Sequence, residues 1–496
     1  MPSVAQAVLR SWAVPLAATF AIVLTALVYL RGWWLLRRAG SPDVPLWRCV
    51  TFLAGLCTLW VALASPMDVF NSFILTAHML QHMLLMMVAP PLILLGAPQV
   101  PMLRGLPIFA AREFAGPFLN WPIAQRIGRT LTHPISGLLV MGAAMFAWHT
   151  PAMYELALRS SSWHQAEHAC FFLTSIIFWW PVIQPWPSRA QWPRWAMVPY
   201  LLVADLQNTA LSAILAFSDR VLYPSYSVVP RLFGLSALED QVAAGAMMWV
   251  VGSLAFVVPA VVIAVQCLSK KPTRPGPVVA RKRDRPLEEA LIPALQTTAP
   301  DPRLVRARLT TKTLEAATFV MLFAVTGLCF ARLLANSGDN DDLALRFHGT
   351  SGPFAVAVFA PVDLAVGPSP ISVLVQDRNT HEVLLDAAVE LSAHPVAGLK
   401  APSATARASQ ADSENKLLQT AELNLPSHGE WAISVIVQRN AESAELSLPL
   451  DVEKPETATA FPWPYAALLA LAAILLLAYI RRRYSPSARA TLTRLA

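Results

Sequence analysis

Seven stretches within the first 268 residues, at about 13–30, 46–64, 73–95, 131–148, 165–184, 197–217 and 239–267, are almost wholly apolar. Each approaches the roughly 20 residues a helix needs to cross a bilayer core. Two more follow at about 314–335 and 463–480. Lipid offers the backbone no hydrogen-bond partners, so such runs must bond internally as helices. The composition agrees: 55% of residues are hydrophobic and only 14% charged, with a mean hydropathy of +0.48, outside the range of soluble domains. Arg10 precedes the first run while Arg31, Arg37 and Arg38 follow it. That is the reverse of a cleavable signal peptide, and the run is expected to stay as a helix.

The net charge of +7 could suggest a nucleic-acid partner, but its placement encodes topology instead. Arg31, Arg37, Arg38 and Arg48 lie between runs one and two, Arg104, Arg112, Arg126 and Arg129 between three and four, and Arg189 and Arg194 between five and six. A dense basic stretch from Lys270 to Lys312 follows run seven, and Arg481, Arg482 and Arg483 follow the last. The alternate short loops among the first seven runs hold only Arg159, Arg220 and Arg231. Positive charge stays on the cytoplasmic side. The N-terminus is therefore expected outside and the C-terminus inside, in a bacterial inner membrane, with membrane lipid and no nucleic acid as its surroundings.

Composition changes abruptly after the seventh run. Residues 269–313 are rich in Pro, Lys and Arg and read as a cytoplasmic linker. Residues 336–458 carry acidic residues, turn punctuation and short apolar runs at Phe354–Phe359, Ile371–Val375 and Trp431–Val437, the pattern of an antiparallel sandwich. The expected fold is an all-α polytopic membrane protein with a small extracytoplasmic β-sandwich domain. It comprises a seven-helix bundle (1–268), the linker, an eighth transmembrane helix (314–335), the β-domain, a ninth helix (463–480) and a basic cytoplasmic tail (481–496). The β-domain contains neither Met nor Cys and reads as a separable docking module. Cys49, Cys57, Cys170, Cys267 and Cys329 form no CxxC pair and read as small apolar residues without a disulfide framework.

The chemistry-bearing residues of the bundle are its histidines. His78 and His82 open run three, His149 closes run four, and His164 and His168 open run five; the expected topology puts all five in the outer leaflet. Residues four apart share one helix face, so His78 and His82 form one stripe and His164 and His168 another, with Glu167 beside it. Met86 extends the first stripe by the same spacing, and Met141 and Met145 lead to His149. One intramembrane histidine can simply bond a neighbouring carbonyl, but five at one depth point to a metal or cofactor, because ionisable groups in lipid are costly. Imidazole suits copper, zinc and iron, and thioether selects Cu(I), so the mixed lining favours copper. Met79, Met83, Met86, Met145, Glu167, Asp240 and Met247 are candidate auxiliaries. Asp240 reads equally as a ligand, as a partner orienting an imidazole, or as an N-cap. Asp205 and Asn208 read as helix packing or a polar path, and His133, before Pro134, as a local cap.

These motifs resemble a known family. His78-Met79-Leu80-Gln81-His82-Met83-Leu84, running on to Ala89-Pro90-Pro91-Leu92 and Leu95-Gly96-Ala97-Pro98, is similar to the signature of the CtaG family of cytochrome c oxidase assembly factors. So are Trp148-His149-Thr150-Pro151 with Tyr154, His164 to His168, Phe178-Trp179-Trp180-Pro181, Tyr223-Pro224 with Tyr226, and Asp240-Gln241 through to Trp249. The resemblance spans about residues 10–268 and implies a seven-span factor that handles copper for a haem–copper oxidase. Its partners would be the oxidase catalytic subunit and a periplasmic copper donor. The β-domain loosely resembles YtkA/FixH-like extracytoplasmic domains. No nucleotide loop or catalytic triad is present, so the expected role is metal delivery, not enzymatic turnover. A haem-binding redox protein and a copper importer are the competing readings.

Overall fold

The computed structural model describes residues 3–107, 111, 121–188, 190–269, 343–361, 364–396 and 401–453. The linker beyond Ser269, the eighth and ninth helices, the basic tail and Cys329 lie outside the described residues. Within them, six helices are long and apolar enough to cross a membrane, and a bent pair makes a seventh. In chain order the bundle contains α1 (Val4–Arg10), α2 (Leu16–Arg38), α3 (Leu46–Ala64), α4 (Pro66–Phe70), α5 (Leu75–Met83), α6 (Ala89–Leu95) and α7 (Gln99–Gly105). It continues with α8 (Pro122–Leu131), α9 (Pro134–Trp148), α10 (Pro151–Arg159), α11 (Ser161–Ile183), α12 (Met197–Phe217), α13 (Ser225–Val228) and α14 (Ala237–Ser269). All seven apolar runs are helical.

Proline sets many of the boundaries. Pro122, Pro134 and Pro151 each open a helix, where the missing N–H would have had no partner anyway. The helix α8 falls in a stretch that reads from sequence as a loop. It meets α9 at 70°, with Ala124 and Gly128 buried and Ile123 and Ile127 exposed. As expected, His133 is a cap: its Nδ1 accepts the amide of Ile135 at 3.3 Å. Where α2 crosses α7, a Cβ on Gly32 would lie 1.7 Å from the Pro101 carbonyl oxygen. Only glycine permits that approach.

The third span is interrupted. Between α5 and α6, residues Leu84–Val88 form a π turn. Pro90 and Pro91 follow at once, and having no N–H they leave the carbonyls four residues earlier without their α-helical donors. The Trp179 indole of α11 donates to the Met86 carbonyl at 3.0 Å and fills one vacancy. The π turn changes the angular offset between His82 and Met86 from that of a regular α-helix.

The β-domain is a sandwich of two four-stranded antiparallel sheets, ordered β1-β2-β3-β6 and β5-β4-β7-β8. Its strands are β1 (Leu343–Ser351), β2 (Phe354–Pro361), β3 (Gly367–Asp377), β4 (Ala388–Pro395), β5 (Ala404–Arg407), β6 (Gln419–Leu425), β7 (Gly429–Arg439) and β8 (Glu442–Val452). In β7, Trp431, Ile433, Val435 and Val437 point inward and are fully buried, the expected period of two. The strand β2 does not alternate; every residue is buried. Its two faces bury against different partners. Phe354, Val356, Val358 and Ala360 enter the sandwich core, whereas Ala357 and Phe359 join Phe70, Phe73 and Leu232 of the bundle in a separate apolar cluster with Leu374, Leu417 and Leu418.

This domain is therefore seated on the bundle. Phe73 and Phe359 pack with ring centroids 5.5 Å apart, the Gln376 amide donates to the Arg231 carbonyl at 2.9 Å, and the Lys416 amide donates to the Ser11 hydroxyl at 2.9 Å. The seat lies at the end of the bundle where α5 begins.

Candidate metal centre

The five histidines come together. His78 and His82 project from α5, His164 and His168 from α11, and His149 is the residue on which α9 ends. Ring centroids are 4.4 Å apart for His78 and His82, 4.1 Å for His164 and His168, 5.1 Å for His78 and His164, and 5.4 Å for His82 and His168. His149 joins through His82 at 6.4 Å. Glu167, fully buried, sits among them, with Oε2 3.6 Å from His78 Nε2 and 3.8 Å from His82 Nε2. These separations are too long for direct hydrogen bonds.

Two compact donor sets result: His78, His82 and His168, and His78, His164 and Glu167, each with ligand atoms within 4.8 Å of one another. Two imidazoles on one ion lie up to about 4 Å apart, since each metal–nitrogen bond is about 2 Å, so small side-chain rotations close either set. The donor atoms are also unengaged. His78 Nε2, both nitrogens of His82, the Nε2 atoms of His149, His164 and His168, and both Glu167 oxygens are buried without a hydrogen-bond partner. Buried polar groups are otherwise almost always paired. The site fits a metal ion: it combines borderline imidazole donors, one carboxyl group able to supply a compensating charge to a bound cation, and buried donor atoms with no protein partner.

Neighbouring groups fix two of the rings. His149 Nδ1 lies 2.8 Å from the Met145 carbonyl, which can only accept, so Nδ1 carries the proton and Nε2 keeps its lone pair. His78 Nδ1 faces two phenols, Tyr154 at 2.9 Å and Tyr226 at 3.3 Å. The two hydroxyls are 3.1 Å apart, and Tyr226 donates to the Asn71 carbonyl at 2.6 Å. Burial holds both phenols well above the usual tyrosine range, so they remain O–H donors. Tyr223 stacks on Tyr154 at 3.9 Å and donates to the His149 carbonyl at 3.1 Å.

The other candidates sit around this core. Both Asp240 oxygens serve the start of α5, accepting the amides of Leu75 at 2.7 Å and Thr76 at 3.1 Å and the Thr76 hydroxyl at 2.6 Å. Of the three roles open to it, capping is the one its geometry displays, on a helix other than its own. Gln81, between the two histidines of α5, donates instead to the Ala62 carbonyl at 2.8 Å and to Asp68 at 2.7 Å. Met79, Met83, Met86 and Met145 are buried in the bundle core and Met247 packs against it. Asn208 donates to the Met248 carbonyl at 3.2 Å and is pressed onto Gly252, a packing contact. Sequence reasoning did not find the tyrosines as partners of the site. Each lies in a short connecting helix or turn, where no periodicity marks an inward face.

The family described as cytochrome c oxidase caa3 assembly factor matches residues 27–270. An uncharacterized protein of Mycobacterium bovis is 26% identical over 279 residues, 53% of this chain and 40% of its own length; one of Mycobacterium tuberculosis matches to the same extent. One of Mycobacterium leprae is 28% identical over 250 residues, 48% of this chain and 36% of its own. The match thus spans well under half the length of these relatives. No solved structure matches the chain.

Proposed function

Through residues 27–270 the chain belongs to the cytochrome c oxidase caa3 assembly factor family, and on that premise we propose that it holds copper as cargo and delivers it to the oxidase catalytic subunit. The observation that carries the reading is the set of buried imidazole and carboxylate atoms with no protein partner. Leaving several such groups unpaired costs roughly 1–3 kcal/mol each, which a bound ion offsets. Copper stands at the top of the affinity order for nitrogen donors, and Cu(I) is the form best suited to exchange with the buried methionines nearby.

His78 belongs to both donor sets. An ion can therefore pass from His82 and His168 to His164 and Glu167 while staying bound to His78. Such stepwise ligand exchange keeps each move nearly balanced, as a delivery protein requires. The acceptor is the oxidase subunit, the source a periplasmic copper donor, and the site faces the outer side of a bacterial inner membrane. The role needs no chemical turnover.

The test is metal analysis of the purified full chain, with and without alanine at His78, His82, His149, His164 and His168. About stoichiometric copper lost with the histidines supports the reading. A Soret band with no copper replaces it with haem binding. Copper uptake into sealed vesicles would instead mark an importer.

A further inference from the structure

We infer that Tyr154 and Tyr226 are positioning residues that lock His78 in the Nδ1–H tautomer and so keep its Nε2 lone pair turned to the metal. Proton ownership decides the tautomer. The Asn71 carbonyl can only accept, so its 2.6 Å contact commits the single hydroxyl proton of Tyr226. As a hydrogen bond, the 3.1 Å contact between the phenols can then be donated only by Tyr154, and this assignment makes every contact of the triad a hydrogen bond, whereas a Tyr154 hydroxyl turned to His78 Nδ1 would leave the phenol–phenol contact unmade. His78 Nδ1, 2.9 Å from the Tyr154 oxygen and 3.3 Å from that of Tyr226, is left as the donor to both. The chain runs one way, from His78 through Tyr154 and Tyr226 to Asn71. A backbone carbonyl at its end sets the direction throughout.

This polarity makes the more distant tyrosine the stricter one. In Tyr226→Phe the Tyr154 hydroxyl loses its acceptor and turns to donate to His78 Nδ1. The imidazole proton then moves to Nε2 and blocks the metal-facing atom. In the double variant Tyr154→Phe, Tyr226→Phe no donor opposes Nδ1, and the blocked tautomer is no longer enforced. A merely structural pair behaves otherwise, with the double variant at least as impaired as either single one.

The consequence for metal rests on the copper reading, but the tautomer does not, and the experiment separates them. In the metal-free full chain with ¹⁵N-labelled histidine, the ring shifts of His78, assigned by loss of its signals in His78→Gln, should show Nδ1 protonated and Nε2 bare. Tyr226→Phe should invert that pattern. With Cu(I) as probe against a chromophoric chelator, it should also weaken binding by about 10–100-fold, as loss of a ligand's outer partner does. Adding Tyr154→Phe should recover part of that affinity. A proton on Nε2 in the wild type overturns the inference whatever the copper result, and so does a double variant no tighter than Tyr226→Phe. Should Tyr226→Phe fail to fold, the wild-type spectrum decides alone. A wild-type chain that binds no Cu(I) overturns the copper reading instead.

Discussion

The carboxylate of Asp240 takes the backbone amide of Leu75 at 2.7 Å, across 165 residues of sequence. One acidic side chain from α14 thereby seals the start of the helix that carries His78 and His82. The first amides of any helix lack intrahelical partners, and here they are buried beneath the β-domain's seat, so the partner must come from the protein.

Replacing this cap should act on stability. Asp240→Ala should cost about 0.5–2 kcal/mol, the usual effect of losing an N-cap, while Asp240→Asn, which keeps one acceptor oxygen, should lose less. Copper per folded molecule should be unchanged in both, as read by thermal unfolding alongside metal analysis. Copper lost from the Asn variant at unchanged stability would make Asp240 a ligand.

His82 offers the opposite signature. Neither ring nitrogen has a partner and the residue is 3% exposed. His82→Leu removes two unpaired polar atoms at similar bulk, so the metal-free protein should unfold at the same temperature or higher. Its copper should fall sharply. A histidine kept for packing would give destabilisation with copper retained.

Topology is open to direct test with compartment-specific reporters. Fusions after Arg159 or Glu453 should be active only outside the cytoplasm, and fusions after Arg104 or Ser269 only inside. The β-domain and the histidines occupy one end of the bundle, so an internal signal after Glu453 would turn both toward the cytoplasm and end the case for loading from outside.

The seating of the sandwich can be broken without breaking the sandwich. Phe359 is 4% exposed and belongs to the bundle contact, while its neighbours Val358 and Ala360 face the sandwich core. Phe359→Asp buries a charge in that contact and should release the domain, seen as new protease sensitivity in the 71–74 loop with the far-ultraviolet β signal intact. Loss of that signal would mean the two cores are one unit.

Much of this was legible in the sequence because lipid imposes simple rules. Runs of about 20 apolar residues became six membrane-length helices and one bent pair, and the i, i+4 spacing of His78 with His82 and of His164 with His168 put their rings together. What escaped notice depends on tertiary contact. Asp240 caps a helix distant in sequence, and the tyrosine chain ends on a main-chain carbonyl that no sequence pattern advertises. The helix α8 is only ten residues long, too short for its amphipathic pattern to stand out. The spacing of Met86 from His82 presumes a regular α-helix, which the π turn at Leu84–Val88 interrupts. The apolar character of β2 was visible, but its two-sided burial depends on a bundle whose position the local pattern does not encode. The β-domain reads as separable for the same reason.

That two-faced strand also dictates an order of events during synthesis. Phe70, Phe73 and Leu232 leave the ribosome more than a hundred residues before Phe359 and Leu374, so the bundle presents its half of the contact before the sandwich exists. A chain interrupted between the two halves carries an uncovered apolar patch, and a sandwich folded without its bundle exposes the matching one. Each orphaned half is thus a sticky species prone to aggregation. Joining them is the step that turns nascent protein into a finished molecule.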